Sequence, residues 1–117
     1  MKTILVVDDE EHIRLLFQEE FQEAGYRVVF AETGEQALQK NDELHPDLVT
    51  LDIKMEGMSG IEVARQLKEK RRDLPILFWT AYEDFKQNFG TWSAEGYFIK
   101  SGNLRELKNK IHELLPP

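Results

Sequence analysis

Five side chains in this 117-residue sequence have the types and spacing for joint chemistry: Asp8, Asp9, Asp52, Thr80 and Lys100. Each follows a short apolar run: Ile4 to Val7 before the paired acids, Leu48 to Leu51 before Asp52, Ile76 to Trp79 before Thr80, and Tyr97 to Ile99 before Lys100. Three carboxylates in one crevice repel each other, so they either retain protons or hold a cation. The chain has no cysteine, and His12, His45 and His112 are scattered without metal-ligand spacing. An oxygen-only donor set points to Mg2+ or Mn2+, with water and a substrate phosphate completing the octahedron. Lys100 adds a compact positive charge. Thr80 adds a hydroxyl, and the backbone N–H after it adds another donor for phosphoryl oxygens. Taken singly, each residue has an ordinary explanation: a helix cap for Asp8 or Asp9, a loop acid at Asp52, a β-branched strand residue at Thr80, a solvated strand end at Lys100. Their joint arrival at four strand ends selects the chemical reading.

The elements that must position them follow from hydrophobic period. Short apolar runs, including a further one at Tyr26 to Ala31, alternate with amphipathic stretches, the pattern of a parallel sheet covered by helices. Ile13, Leu16, Phe17, Phe21 and Ala24 fall at helical spacing, and Gly25 is placed to stop that helix. Thr33 with Gln36, Ser59 with Glu62, and Asn103 with Glu106 mark three further helix starts. Leu104, Leu107, Ile111, Leu114 and Leu115 form the apolar stripe of the last helix, which Pro116-Pro117 ends. Phe85, Phe89 and Trp92 have helical spacing too, interrupted by Gly90 and Thr91, which predicts a short or bent helix before the fifth strand. The tally is (βα)5, α/β in class. Right-handed crossovers favour an open doubly wound parallel sheet in strand order 2-1-3-4-5. In such a sheet ligands bind at the carboxyl ends of the strands, where strand order reverses. The five residues singled out sit at those ends.

Composition narrows the alternatives. With 15 basic and 22 acidic residues the formal charge is −7, which repels phosphate backbones and anionic lipid, so no direct nucleic-acid or membrane binding is expected. No apolar run approaches a membrane span or a signal peptide, and the expected location is cytoplasmic. Without cysteine, no disulfide framework or thiolate metal site is available. The length predicts a single domain over residues 1–117.

Four segments carry a family signature in order: Ile4-Leu5-Val6-Val7-Asp8-Asp9-Glu10, then Pro46-Asp47-Leu48-Val49-Thr50-Leu51-Asp52-Ile53-Lys54-Met55, then Trp79-Thr80-Ala81, then Tyr97-Phe98-Ile99-Lys100. Over essentially its whole length the chain resembles the receiver domains of two-component response regulators. The resemblance implies a CheY-like, flavodoxin-like three-layer sandwich in which Asp52 attacks a phosphoryl group and becomes an aspartyl phosphate. It implies Mg2+ bound directly by Asp9, mostly through water by Asp8, and by Asp52 and the Lys54 carbonyl, with Lys100 neutralising the transferring group. Thr80 and Tyr97 would act as the switch, altering a surface formed by the fourth of five helices, the fifth strand and the fifth helix. The implied phosphodonor is a sensor histidine kinase or phosphotransfer protein, and the implied reader is a downstream protein target. Pairing of two copies through the last helices is common in the family. Such a chain catalyses only its own phosphorylation and dephosphorylation and is not otherwise an enzyme. Here Ser101 and Glu56 stand where the family usually has prolines, and Ser93-Ala94 replaces a common Gly-Ala pair. Lys54 and Tyr82 stand two residues beyond Asp52 and Thr80, positions that in this family flank the path of attacking water, and are expected to slow loss of the phosphoryl group. The alternative is a phosphorylation-independent pseudo-receiver that keeps the fold as a protein interaction module.

Overall fold

Five parallel strands form one sheet in the order β2-β1-β3-β4-β5, as the alternating pattern predicts. The protein is seen in a computed structural model that describes residues 1–81, 94–100 and 102–117. The strands are β1 (Thr3–Val7), β2 (Arg27–Ala31), β3 (Leu48–Leu51), β4 (Ile76–Thr80) and β5 (Gly96–Ile99). The helices are α1 (Glu11–Glu23), α2 (Gly34–Leu44), α3 (Gly60–Lys70) and, after β5, α4 (Leu104–Leu114). The expected helix around Phe85, Phe89 and Trp92 lies outside the described residues, as do Tyr82, Ser93 and Ser101.

The central strands are buried on both faces, which is why β1, β3 and β4 read as continuous apolar runs and not as alternations. Two cores result. On one face Ile13, Phe17 and Phe21 of α1 and Leu107 and Ile111 of α4 pack on Ile4, Val6, Leu48, Leu77 and Trp79. On the other, Ala37 of α2 and Val63, Ala64 and Leu67 of α3 pack on Leu5, Val7, Val49, Leu51, Ile76 and Phe78. Each large side chain buried this way contributes about 1.5–3 kcal/mol relative to exposure.

Two members of the expected α1 stripe do not join the core. Leu16 is 40% exposed, and Ala24 is an exposed C-cap residue beyond the helix end. The buried row runs through Ile13, Phe17 and Phe21, and Leu16 lies about 100° round the helix from Phe17. Gly25 takes φ +102°, the left-handed turn that stops α1 and that a side chain rarely adopts. All three expected caps form. Thr33 accepts from the Gln36 N–H, whereas Ser59 and Asn103 each accept from the residue two positions on, Ile61 and Arg105. The last helix stripe buries Leu107 and Ile111, with Leu115 at its C-cap, and leaves Leu104 and Leu114 half-buried.

Candidate functional site

The residues singled out from sequence meet because the sheet carries them there. Backbone bonds continue the strand ladders one step past their ends: Asp8 N–H donates to Ala31 O at 3.1 Å, Asp52 N–H to Val7 O at 3.1 Å, and Lys100 N–H to Thr80 O at 2.7 Å. Asp8, Asp52 and Lys100 are thus each held on a rigid rung and not on a free loop. The turn into α3 is fixed as well. Gly60 N–H donates to Ile53 O at 2.8 Å, and a side chain at Gly60 would collide with the Asp52 carbonyl.

The Lys100 ammonium lies at the centre, 3.0 Å from Asp8 Oδ2, 3.2 Å from Asp52 Oδ2 and 2.5 Å from Glu10 Oε1. Carboxylate oxygens of Asp8, Asp9, Glu10 and Asp52 all lie within 4.8 Å of one another. Four acids against one ammonium leave the cluster strongly negative. Asp8 and Asp52 are buried, while Asp9 and Glu10 face solvent. Burial pushes the Asp8 carboxyl up to about 6, against the opposing pull of the Glu10 N–H and of Lys100. Burial likewise raises Asp52, with Lys100 and the Thr80 hydroxyl pulling the other way. For Lys100, burial lowers the ammonium, but Glu10, Asp8 and Asp52 together outweigh it and hold it above its ordinary value. The hydrogen bond from Lys100 keeps Glu10 below the usual carboxylate range.

Thr80 is fully buried beside Asp52. Although its hydroxyl favours the Asp52 carboxylate, neither Thr80 Oγ1 nor Asp52 Oδ1 has a partner at hydrogen-bond geometry among the described residues. A buried carboxylate oxygen without a donor is costly, and a cation or a reacting group at that position removes the cost. Together with the all-oxygen donor set, this makes the site fit a hard divalent cation. Lys54 lies just beyond Asp52 with its side chain exposed, and Glu56 is exposed on the same loop. Tyr97 is half-buried on β5, its ring 5.9 Å from that of Phe78.

Two residues of this site were not singled out from sequence. Glu10 partners Lys100, and the run of three acids from Asp8 to Glu10 was the available signal. Arg14 donates to the Asp8 backbone carbonyl at 2.9 Å and pairs with Glu32 at 3.2 Å, bracing the end of β1 from the first turns of α1. Only its position one turn after the acids marked it.

Comparison with known proteins fits this geometry. The family described as "Response regulator receiver domain" matches residues 4–112. The alkaline phosphatase synthesis transcriptional regulatory protein PhoP of Bacillus subtilis is 40% identical over 116 residues, covering 97% of this chain and 48% of PhoP, so the chain spans about half the length of that relative. Sporulation initiation phosphotransferase F of the same organism is 36% identical over 115 residues, covering 97% of this chain and 93% of that protein. Among solved structures, response regulator TrrA of Thermotoga maritima in complex with Mg2+ and BeF superposes with a TM-score of 0.94 at 49% identity, covering 98% of this chain and 100% of TrrA. TrrA in complex with histidine kinase ThkA gives a TM-score of 0.90 at 49% identity, covering 98% and 99% of the two chains. A match that runs from the first strand into the last helix, in both sequence and fold, settles the classification: this chain belongs to the response regulator receiver domains of two-component systems.

Proposed function

We propose that the chain accepts a phosphoryl group on Asp52 from a phosphohistidine of a sensor histidine kinase or phosphotransfer protein and signals to a downstream protein through a changed surface. The observation that carries this reading is the Asp52 carboxylate itself. One oxygen lies 3.2 Å from the Lys100 ammonium, and the other is buried without a partner among the described residues. In the transfer, an Asp52 oxygen forms a bond to phosphorus as the phosphorus–nitrogen bond of the donor breaks. The imidazole leaves with the electron pair and takes a proton from water. Asp52 is the nucleophile, Lys100 neutralises the phosphoryl oxygens, and the Thr80 hydroxyl donates to one of them.

Asp9 would ligate Mg2+ directly and Asp8 mostly through water, with Asp52 and the Lys54 carbonyl completing the protein's share. Mg2+ bound there supplies the positive charge that phosphoryl transfer chiefly requires. After transfer Thr80 turns toward the phosphoryl group and Tyr97 moves inward behind it. β5 and α4 then present a different face to the target. Residues 1–117 act as one receiver unit in the cytoplasm, and the chain's catalysis is confined to its own phosphorylation and dephosphorylation. The complexes of TrrA with Mg2+ and BeF and with ThkA support the metal and the donor class.

Incubation with Mg2+ and acetyl phosphate tests the proposal. The intact mass is expected to rise by one phosphoryl group, and Asp52→Ala to abolish the gain. Absence of the gain in the wild-type chain, or its survival in Asp52→Ala, refutes the assignment.

A further inference from the structure

Three carboxylate oxygens surround the Lys100 ammonium, from Asp8, Asp52 and Glu10. An ammonium has three N–H donors. A phosphoryl oxygen arriving at Lys100 therefore takes the place of one of these carboxylates. They are not equally held. The side chains of Asp8 and Asp52 are 3% and 6% exposed at the ends of central strands, whereas that of Glu10 is 45% exposed where the chain enters α1. Leaving a buried carboxylate unpaired is expensive, but an exposed one is taken up by water. Glu10 also has somewhere to go, because its second oxygen already lies 3.5 Å from Nε2 of the exposed His12.

We propose that Glu10 is a placeholder, its carboxylate occupying on Lys100 the position that a phosphoryl oxygen takes during transfer to Asp52, so that it sets how readily the site is phosphorylated. This rests on the acceptor reading above. Glu10 acts through Lys100 and is a positioning residue. It competes for the cation without touching phosphorus. When the donor is acetyl phosphate, an Asp52 oxygen bonds to phosphorus, the phosphorus–oxygen bond to the acetyl group breaks, and acetate leaves with the electron pair.

The test is a double-mutant cycle on the full chain. Glu10→Gln and Glu10→Ala are each made with Lys100 intact and with Lys100→Ala. Phosphorylation by acetyl phosphate is timed by intact mass, with each protein saturated in Mg2+ according to its own titration. Glu10→Gln keeps the side-chain shape and loses the charge. Affinity for beryllofluoride, followed by tryptophan fluorescence, is the second readout where Lys100→Ala is too slow to time. With Lys100 intact, both substitutions are expected to speed uptake roughly three- to fivefold, the scale of a partly exposed ion pair. On the Lys100→Ala background they are expected to have no effect. Unchanged or slower uptake with Lys100 intact overturns the proposal. So does equal acceleration on both backgrounds, which marks simple repulsion of the anionic donor. If the wild-type chain takes up no phosphoryl group, the acceptor reading falls and the placeholder with it. If the wild type is phosphorylated but the Glu10 variants match it, the placeholder alone falls.

Discussion

Replacing Asp8 by Asn is expected to stabilise the metal-free protein at neutral pH, even though it deletes an ion pair with Lys100. Asp8 is 2% exposed, and burial moves its carboxyl from 3.8 to about 6 despite the Glu10 N–H and Lys100. The folded chain keeps a proton on Asp8 up to about pH 6, whereas the unfolded chain releases it near pH 4. Between those values the folded state binds more protons, so the free energy of unfolding falls as pH rises through that window and stays low above it. At 1.36 kcal/mol for each pH unit of difference, Asp8 alone costs the folded state about 3 kcal/mol at pH 7.5. The amide of the variant has no charge to desolvate, and its oxygen still accepts the Glu10 N–H that Asp8 Oδ1 holds at 2.9 Å. The expected gain is about 1–3 kcal/mol at pH 7.5 with a chelator present, shrinking toward zero below about pH 4. Urea denaturation of both proteins across this pH range measures it. Added Mg2+ is expected to narrow the gap, because it stabilises the folded state of the protein that binds it more tightly. If the variant is no more stable than the wild type at pH 7.5, or the difference is the same at every pH, the buried charge of Asp8 is not the source of strain.

Two further substitutions test how the site and the chain end are held. A methyl group at Gly60 would lie 2.8 Å from the Asp52 carbonyl carbon and 2.9 Å from Ile53 Cα, backbone that cannot give cheaply. Gly60→Ala is expected to lower stability by about 3 kcal/mol in urea and to weaken Mg2+ binding. Its control is Gly57→Ala, where φ is +84° in open space: a loss of about 1 kcal/mol with metal binding retained is expected, and equal effects at the two glycines contradict the packing argument. The buried Tyr26 hydroxyl donates to the Leu115 carbonyl at 2.5 Å. Tyr26→Phe is therefore expected to lower the thermal midpoint by the equivalent of about 1–2 kcal/mol while phosphoryl uptake stays unchanged; an unshifted midpoint denies that bond a role.

Strand order and the meeting of Asp8, Asp9, Asp52, Thr80 and Lys100 were legible because a buried parallel sheet leaves continuous apolar runs and brings their ends to one edge. The metal-type chemistry was legible for a related reason: three carboxylates at the ends of two neighbouring strands, Asp8 and Asp9 after β1 and Asp52 after β3, have few structural uses. What sequence did not show depends on side-chain direction and partner choice. Leu16 has the composition of a core residue, yet the rotation of α1 set by Ile13, Phe17 and Phe21 turns it toward water. Glu10 looks like one more solvated acid until Lys100, at the other end of the chain, is brought against it. Arg14 looks like an ordinary helix cation, and its hold on the Asp8 carbonyl appears only once α1 is docked. Serine and asparagine at helix starts were readable as caps, but which N–H each would accept was not.

The ion pair between Glu10 and Lys100 joins residues 90 positions apart. Loop closure over such a span is among the slowest contacts for a chain to make. A polypeptide still being synthesised therefore presents its acids, and even its first three strands, without Lys100 among them until the fifth strand has emerged and docked. On the proposed reading, a chain that stops short of β5 carries the acceptor carboxylate but lacks the cation that neutralises the transferring phosphoryl group.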